Sequence, residues 1–217
     1  MTTAMQSLAP ALVEARRAVY CFLRAALDKP TTEQHAWLAS DRFRRQLIDV
    51  ASVFGIEPPT GDLVPDKFPD HEARYLACFE VGLPEPPVVL LASHYHRRAP
   101  VTAIIHEHKL YYQWFAANGR MDNQEPADHL LNELIFLIHL DDLLLNPRRD
   151  EASVVRARRD FVHRHVARWV PHASAAANEN HIPHLYRTLL AILAAAIGHD
   201  QELTEEAILT INTEENQ

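Results

Sequence analysis

The stretch "PADHLLNELIFLIHLDDLLL", residues 126–145, decides the fold. Leu130, Leu131, Leu134, Phe136, Leu137, Ile138, Leu140, Leu143 and Leu144 leave little of a helical circumference polar. A helix that is apolar nearly all round is buried among other elements. The reading is therefore a central helix over about 126–145, with Pro126 in its first turn, where a missing N–H leaves nothing unpaired.

The flanking sequence supplies the elements that would surround it. Residues 8–27 place Leu8, Leu12, Ala15, Val19, Phe22, Leu23 and Ala26 at steps of three and four, the spacing of a helix with one buried stripe. Thr31 or Thr32 can cap one or two short helices running to Gly55. Eight of the 14 prolines lie between Pro58 and Pro100, so that span reads as connectors around one helix at about 69–80. Helical spacing returns over 101–117 and is interrupted by "NGRMDNQEPAD". Asn146-Pro147 signals another helix start, and its apolar face runs to Trp169, before Pro171. A further helix spans about 183–197, and the Glu-rich tail can form a last one. There is no fixed-period repeat and no convincing strand pair, although "PPVVLL" alone could be read as one strand. The expectation is a single all-α domain, a helical bundle of about ten helices over residues 1–217. Its N-terminal part covers about 1–117, a hinge lies at about 118–127, and a C-terminal part covers about 128–217.

Composition narrows the function. A formal charge of −8 argues against nucleic acid, because neutralising phosphates takes clustered Lys and Arg. Cys21 and Cys78 are the only cysteines and have no zinc-type spacing, which fits a reducing cytoplasm. The first twenty residues lack the pattern of an export signal, and no apolar segment is long and uninterrupted enough to insert in a membrane. Three of the His pairs, His94/His96, His106/His108 and His163/His165, are i,i+2 and point about 200° apart on a helix, so none shares a metal by itself. No Gly-rich phosphate loop, GxSxG, HExxH or ExxH pair is present, which argues against an enzyme.

Two motifs remain. "CFEVGLPEPPVVLLASHYHRR", residues 78–98, carries Pro84, Pro86 and Pro87 and then an apolar run; a shaped connector of this kind is where binding residues concentrate. "EPADHLLNEL", residues 125–134, places Asp128 in the expected first helical turn, with His129 and Glu133 as i,i+4 neighbours. Capping plus one ordinary pair, or a polar recognition point, both account for it.

The order and separation of the two motifs resemble the TorD/DmsD/NarJ family of molybdoenzyme maturation chaperones. The family's Y-x-x-L-F motif, Pro-rich loop and S-x-Y match Tyr75, Cys78 and Phe79, then Pro84, Pro86 and Pro87, then Ser93 and Tyr95. Its E-P-D-H-L-x-x-E-L motif matches Glu125, Pro126, Asp128, His129, Leu130, Glu133 and Leu134. "FVHRHVARWVPHAS" and "HLYRTLLAILAAAI" resemble its later helices. Ala127 is an insertion, and Cys78 stands where leucine is usual. The loop looks most like the branch serving periplasmic enzymes of the dimethyl-sulfoxide-reductase superfamily.

The resemblance implies a non-enzymatic cytoplasmic chaperone. It would bind the twin-arginine signal peptide or apo form of a molybdoenzyme catalytic subunit and assist cofactor insertion before export. It implies no cofactor requirement, with at most transient contact with molybdopterin guanine dinucleotide, and a monomer or a domain-swapped homodimer. Tyr75, Phe79, Pro87, Leu91, Ser93, Tyr95, Asp128, His129 and Glu133 are the expected contact residues, with Glu72 and Glu80 adding negative charge. Tyr75, Phe79 and Tyr95 read equally as core residues; Trp169 and His165 are assigned to the core. A histidine-dependent metal enzyme and a helical adaptor unconnected with export are the competing readings.

Overall fold

The structure, a computed structural model, describes residues 9–96, 99–122, 124–146 and 151–215; Leu8 and Pro147, used in the reading above, lie outside them. The helices are α1 (Pro10–Leu27), α2 (Thr32–Leu38), α3 (Asp41–Val53), α4 (Phe68–Phe79), the single turn α5 (Ala92–Tyr95), α6 (Val101–Trp114), α7 (Leu130–Leu145), α8 (Glu151–Phe161), α9 (Ala167–Glu179) and α10 (His184–Glu215). A π-helical turn, Val162–Val166, joins α8 to α9, so the described residues hold ten α-helical segments, or nine if that rod is counted once. No strand is present among them. Only Leu91 and His129 form an isolated antiparallel bridge.

Local chemistry sets the ends. Thr31 and Ser40 accept hydrogen bonds from the backbone N–H groups of Gln34 (3.1 Å) and Phe43 (3.2 Å), capping α2 and α3. α7 packs along α1, while α10 packs on α8, α9 and α1. Leu130, Leu134, Phe136, Leu137 and Leu140 of α7 are fully buried. At about 1.5–3 kcal/mol for each large apolar side chain removed from water, this helix supplies a large share of the driving force.

Three boundaries differ from the reading. α7 begins at Leu130, not 126: His129 is extended (ψ 141°) and acts as the N-cap, so Pro126, Ala127 and Asp128 form a turn outside the helix. The α8–α9 rod runs through Pro171, because Trp169, Val170 and Ala173 are buried on both sides of it. Proline deletes one intrahelical bond, and packing of that density outweighs the loss. The last two expected helices are one: Ile197, Asp200, Thr204 and Ile208 continue the buried stripe past Gly198.

A buried charge network ties α1, α7, α8 and α10 together. Arg158 donates to both oxygens of Asp200 and to the carbonyl of Leu137 (2.8 Å), and lies 3.1 Å from Asp141. Arg16 donates to Asp141 (3.0 Å) and Asp200 (3.1 Å), and the Tyr20 hydroxyl donates to Asp200 (2.9 Å). Burial raises Asp141, whereas in Asp200 the Arg158 and Arg16 charges overcome burial and lower it.

Candidate functional site

The two motifs meet. Leu130 donates its N–H to the Leu90 carbonyl (2.9 Å), Ala92 donates to the Asp128 carbonyl (3.0 Å), and Ser93 donates its N–H to the Asp128 carboxylate (2.9 Å). The proline loop is thereby stitched to the turn that enters α7. Behind the loop, Val88 donates to the Cys78 carbonyl (3.1 Å) and Asn180 to the Pro87 carbonyl (2.8 Å). Gly82 makes the bend feasible, since a Cβ there would lie 2.1 Å from the Glu85 carbonyl oxygen. The bend leaves Val81 and Leu83 exposed at the loop tip.

Beside this seam lies a cavity of about 310 Å³ lined by Phe79, Glu80, Pro86, Val89, Leu90, Leu91, Glu125, Pro126 and His129. Across the Glu125-Pro126 ridge is a larger cleft of about 550 Å³, lined among others by Ile105, Lys109, Tyr112, Met121, Asp122 and Asn132. Asn132 holds the ridge: its side chain accepts from Asp122 N–H (2.8 Å) and donates to the Pro126 carbonyl (3.0 Å). The inserted Ala127 is anchored too, its carbonyl accepting the Tyr112 hydroxyl (2.7 Å).

Charge at the rim comes from Glu80 and Glu125, with Lys29 between them at 3.1 and 2.8 Å. The hydrogen bond to Glu125, with help from Glu80, raises the Lys29 ammonium. His129 accepts the Leu131 N–H on Nδ1 (3.3 Å) and turns Nε2 toward Glu125 (3.8 Å); burial lowers it.

The expected residues separate into rim and interior. Phe79, Leu91 and His129 line the cavity. Pro87 and Ser93 are half-buried and form the seam, while Tyr95 stacks on Trp169 (5.5 Å) on the far side of α5. Tyr75 belongs to the core, its hydroxyl donating to the Leu27 carbonyl (3.2 Å), and is no groove wall. Asp128 is fully buried, so it shapes the seam and is no acid at the mouth.

Glu133 is the largest correction. It pairs not with His129 but with His108 Nε2 (2.8 Å), and it accepts the Trp169 indole N–H (2.9 Å), wholly enclosed. Burial raises the Glu133 carboxyl; burial alone would lower His108, but the Glu133 contact overrides it and leaves His108 raised. His165 is buried as expected, and its Nε2 has no hydrogen-bond partner. Lys29 and Glu125 were missed as a pair; their signal lay only in two charged loop ends, which sequence does not bring together. Among the described residues no group of three or more His, Cys, Asp or Glu could hold a metal, and no helix is long and apolar enough to cross a membrane.

A proline loop stitched to the entry of a central helix, in an all-α bundle, agrees with the family that the motifs resemble. The chain belongs to the nitrate reductase delta subunit family, whose model matches residues 45–175, more than half its length. It is similar to the perchlorate reductase assembly chaperone protein of Dechloromonas aromatica (strain RCB), 28% identical over 175 residues that cover 76% of this chain and 78% of the relative. It is also similar to the selenate reductase assembly chaperone protein of Thauera selenatis, 36% identical over 103 residues, 46% of this chain and 53% of the relative. The dimethyl sulfide dehydrogenase assembly chaperone protein of Rhodovulum sulfidophilum is 28% identical over 178 residues, 77% of this chain and 71% of the relative. The matched region thus spans about half of the selenate reductase relative's length. These relatives are all named as assembly chaperones. No solved structure matches it at a significant level.

Proposed function

We propose that the protein is a cytoplasmic maturation chaperone for a molybdenum-containing oxidoreductase. It receives the twin-arginine signal peptide, the apo catalytic subunit, or both, and holds the client while its cofactor is inserted before export. The observation that carries this reading is the apolar cavity beside exposed Val81 and Leu83, rimmed by the Glu80 and Glu125 carboxylates. A leader that pairs guanidinium groups with an apolar stretch is complementary to such a surface. Guanidinium binds carboxylates bidentately and stays charged, so a client arginine can displace the Lys29 ammonium that now bridges the two carboxylates. His129 and the Asp128-held seam set the cavity wall, and Phe79 and Leu91 supply its apolar face. No cofactor of its own enters this reading.

The test is calorimetric titration with the Arg-Arg leader of a molybdoenzyme subunit that co-purifies with the protein. Glu80→Gln combined with Glu125→Gln is expected to weaken binding about tenfold, the size of one charge-assisted contact, with helicity unchanged. Unchanged affinity defeats the assignment. The polar connector 118–127 is the segment across which two copies would exchange halves. Loosening it with Asn132→Ala is expected to raise the dimer fraction in sizing chromatography, and a purely monomeric variant argues against exchange.

A further inference from the structure

The π-helical turn Val162–Val166 lies beside a third cavity, of about 280 Å³, lined by His96, Ile104, Glu107, Arg164, His165 and Arg168 with Ala99. It is separate from the Glu80/Glu125 cavity. A π turn inside an α-helical rod is rare and is frequently found at functional sites. Here it sets Arg164 and His165 on the cavity wall, and Arg168 follows from α9.

Two features of the wall lack a structural explanation. His165 is 3% exposed, and its Nε2 has no hydrogen-bond partner; His96 Nε2 is likewise enclosed and unpartnered. A buried nitrogen left without a partner is costly, so each such atom in a folded protein asks for a ligand or a reason. Among the described residues the one carboxylate lining the cavity is Glu107, whose Oε1 is 3.4 Å from Arg164 Nη1 and 3.7 Å from His165 Nε2. Its side chain is 43% exposed and can swing outward. A divalent cation is disfavoured by the two guanidinium groups, and among the described residues no three His, Cys, Asp or Glu side chains are placed to hold one.

We propose that this cavity is an anion site for a phosphate-sized oxyanion, free or as a terminal phosphate ester, bound by Arg164, Arg168 and the Nε2–H groups of His96 and His165, with Glu107 as the resident counter-charge that it displaces. This does not depend on the client reading above. Other groups bear on it: the His108 ring lies 4.2 Å from His165, Tyr111 lies 5.5 Å from it, and Asp128 and Glu133 lie behind. Burial, with the neighbouring His108 and Arg168, lowers both imidazoles. An anion against Nε2 favours their protonated forms, so binding takes up protons and strengthens on acidification.

The test is histidine side-chain NMR of the full chain, titrated with inorganic phosphate, with glycerol phosphate, and with chloride at matched ionic strength. Saturable shifts at His96 and His165 are expected with phosphate and not with chloride. A response to phosphate alone assigns the free ion, and a response to both assigns the ester-tolerant site. Glu107→Gln is expected to tighten binding several-fold, and Arg164→Gln with Arg168→Gln to weaken it about tenfold. Their side chains are at the surface, and retained helicity confirms that the fold is intact. Sulfate, whose charge is constant here, should bind more tightly as the pH is lowered from neutrality. Equal responses to chloride and phosphate, or affinities unmoved by all three substitutions, overturn the proposal.

Discussion

Two buried polar clusters lie in one bundle and are built on opposite plans. The network of Arg16, Asp141, Arg158 and Asp200 balances two positive and two negative groups, and Tyr20 and the Leu137 carbonyl fill most remaining positions. Only Asp141 Oδ2 is left without a partner. The cluster of His108, Glu133 and Trp169 is satisfied at its centre, but its surroundings are not: Asp128 Oδ1, His96 Nε2 and His165 Nε2 are all enclosed and unpartnered. The first joins the helices α1, α7, α8 and α10. The second lies under α5, where the proline loop meets the α7 turn. A closed network fixes a frame, while an open one leaves buried polar atoms that the fold itself does not satisfy.

Breaking the closed network should have the largest effect. Arg158→Met strips Asp141 and Asp200 of one of the two cations they share, and about 3–5 kcal/mol of stability should be lost, measured by urea unfolding. A loss below about 1 kcal/mol would mean that the frame does not rest on these charges. In the open cluster, Glu133→Gln keeps an acceptor for Trp169 but removes the charge that holds His108 raised. A loss of about 1–3 kcal/mol is expected, with the His108 titration falling toward or below its ordinary range in NMR; a His108 that titrates as before rules out the pairing. Asp128→Asn retains an oxygen for the Ser93 N–H, so stability should change by less than about 1 kcal/mol. The amide N–H2 that replaces the enclosed, unpartnered Oδ1 has no acceptor there, so the seam should shift locally and leader affinity should fall; a large stability loss with normal affinity would make Asp128 a purely structural residue.

The gentlest perturbation is pH. Burial lowers His71 to about 4, where His35 also contributes, and lowers His96, His129 and His165. Each takes up a proton near pH 6.5 when unfolded but resists it when folded. The unfolded state then binds more protons as the pH falls below about 6.5, and stability declines until the folded values are passed. His108, raised by Glu133, works the other way: its contribution is complete below about 6.5 and is lost as the pH rises through its folded value. Four imidazoles oppose His108 and the raised carboxyls of Glu133 and Asp141, whose ordinary range lies below this window, so the urea midpoint should fall between pH 7 and pH 5. A midpoint that holds or rises over that range would show that these imidazoles are hydrated and titrate freely.

Much of the site's location was readable from residue order. The proline loop and the turn before Leu130 stand out because Pro and Gly punctuate helices by local sterics, and their contact is the seam observed. Partners were not readable. Glu133 looked like a neighbour of His129 because i,i+4 spacing holds within any helix, yet α7 starts late and Glu133 faces α6 and α9. Arg158 did carry a usable signal, since it falls on the stripe of Val154, Val155, Phe161 and Val162. A lone cation on an apolar face announces a buried partner without saying which.

Local rules acting over a few residues, namely periodicity, caps and proline geometry, determine where this chain is helical, and they make it an all-α bundle whatever its partners. The pairing of Arg16 with Asp141, the enclosure of Glu133, the Lys29 bridge and the π turn that sets His165 beside His96 were decided only in three dimensions. Each joins residues from separate segments of the chain, and the free energy of placing a polar group out of water depends on which groups the finished packing brings to meet it.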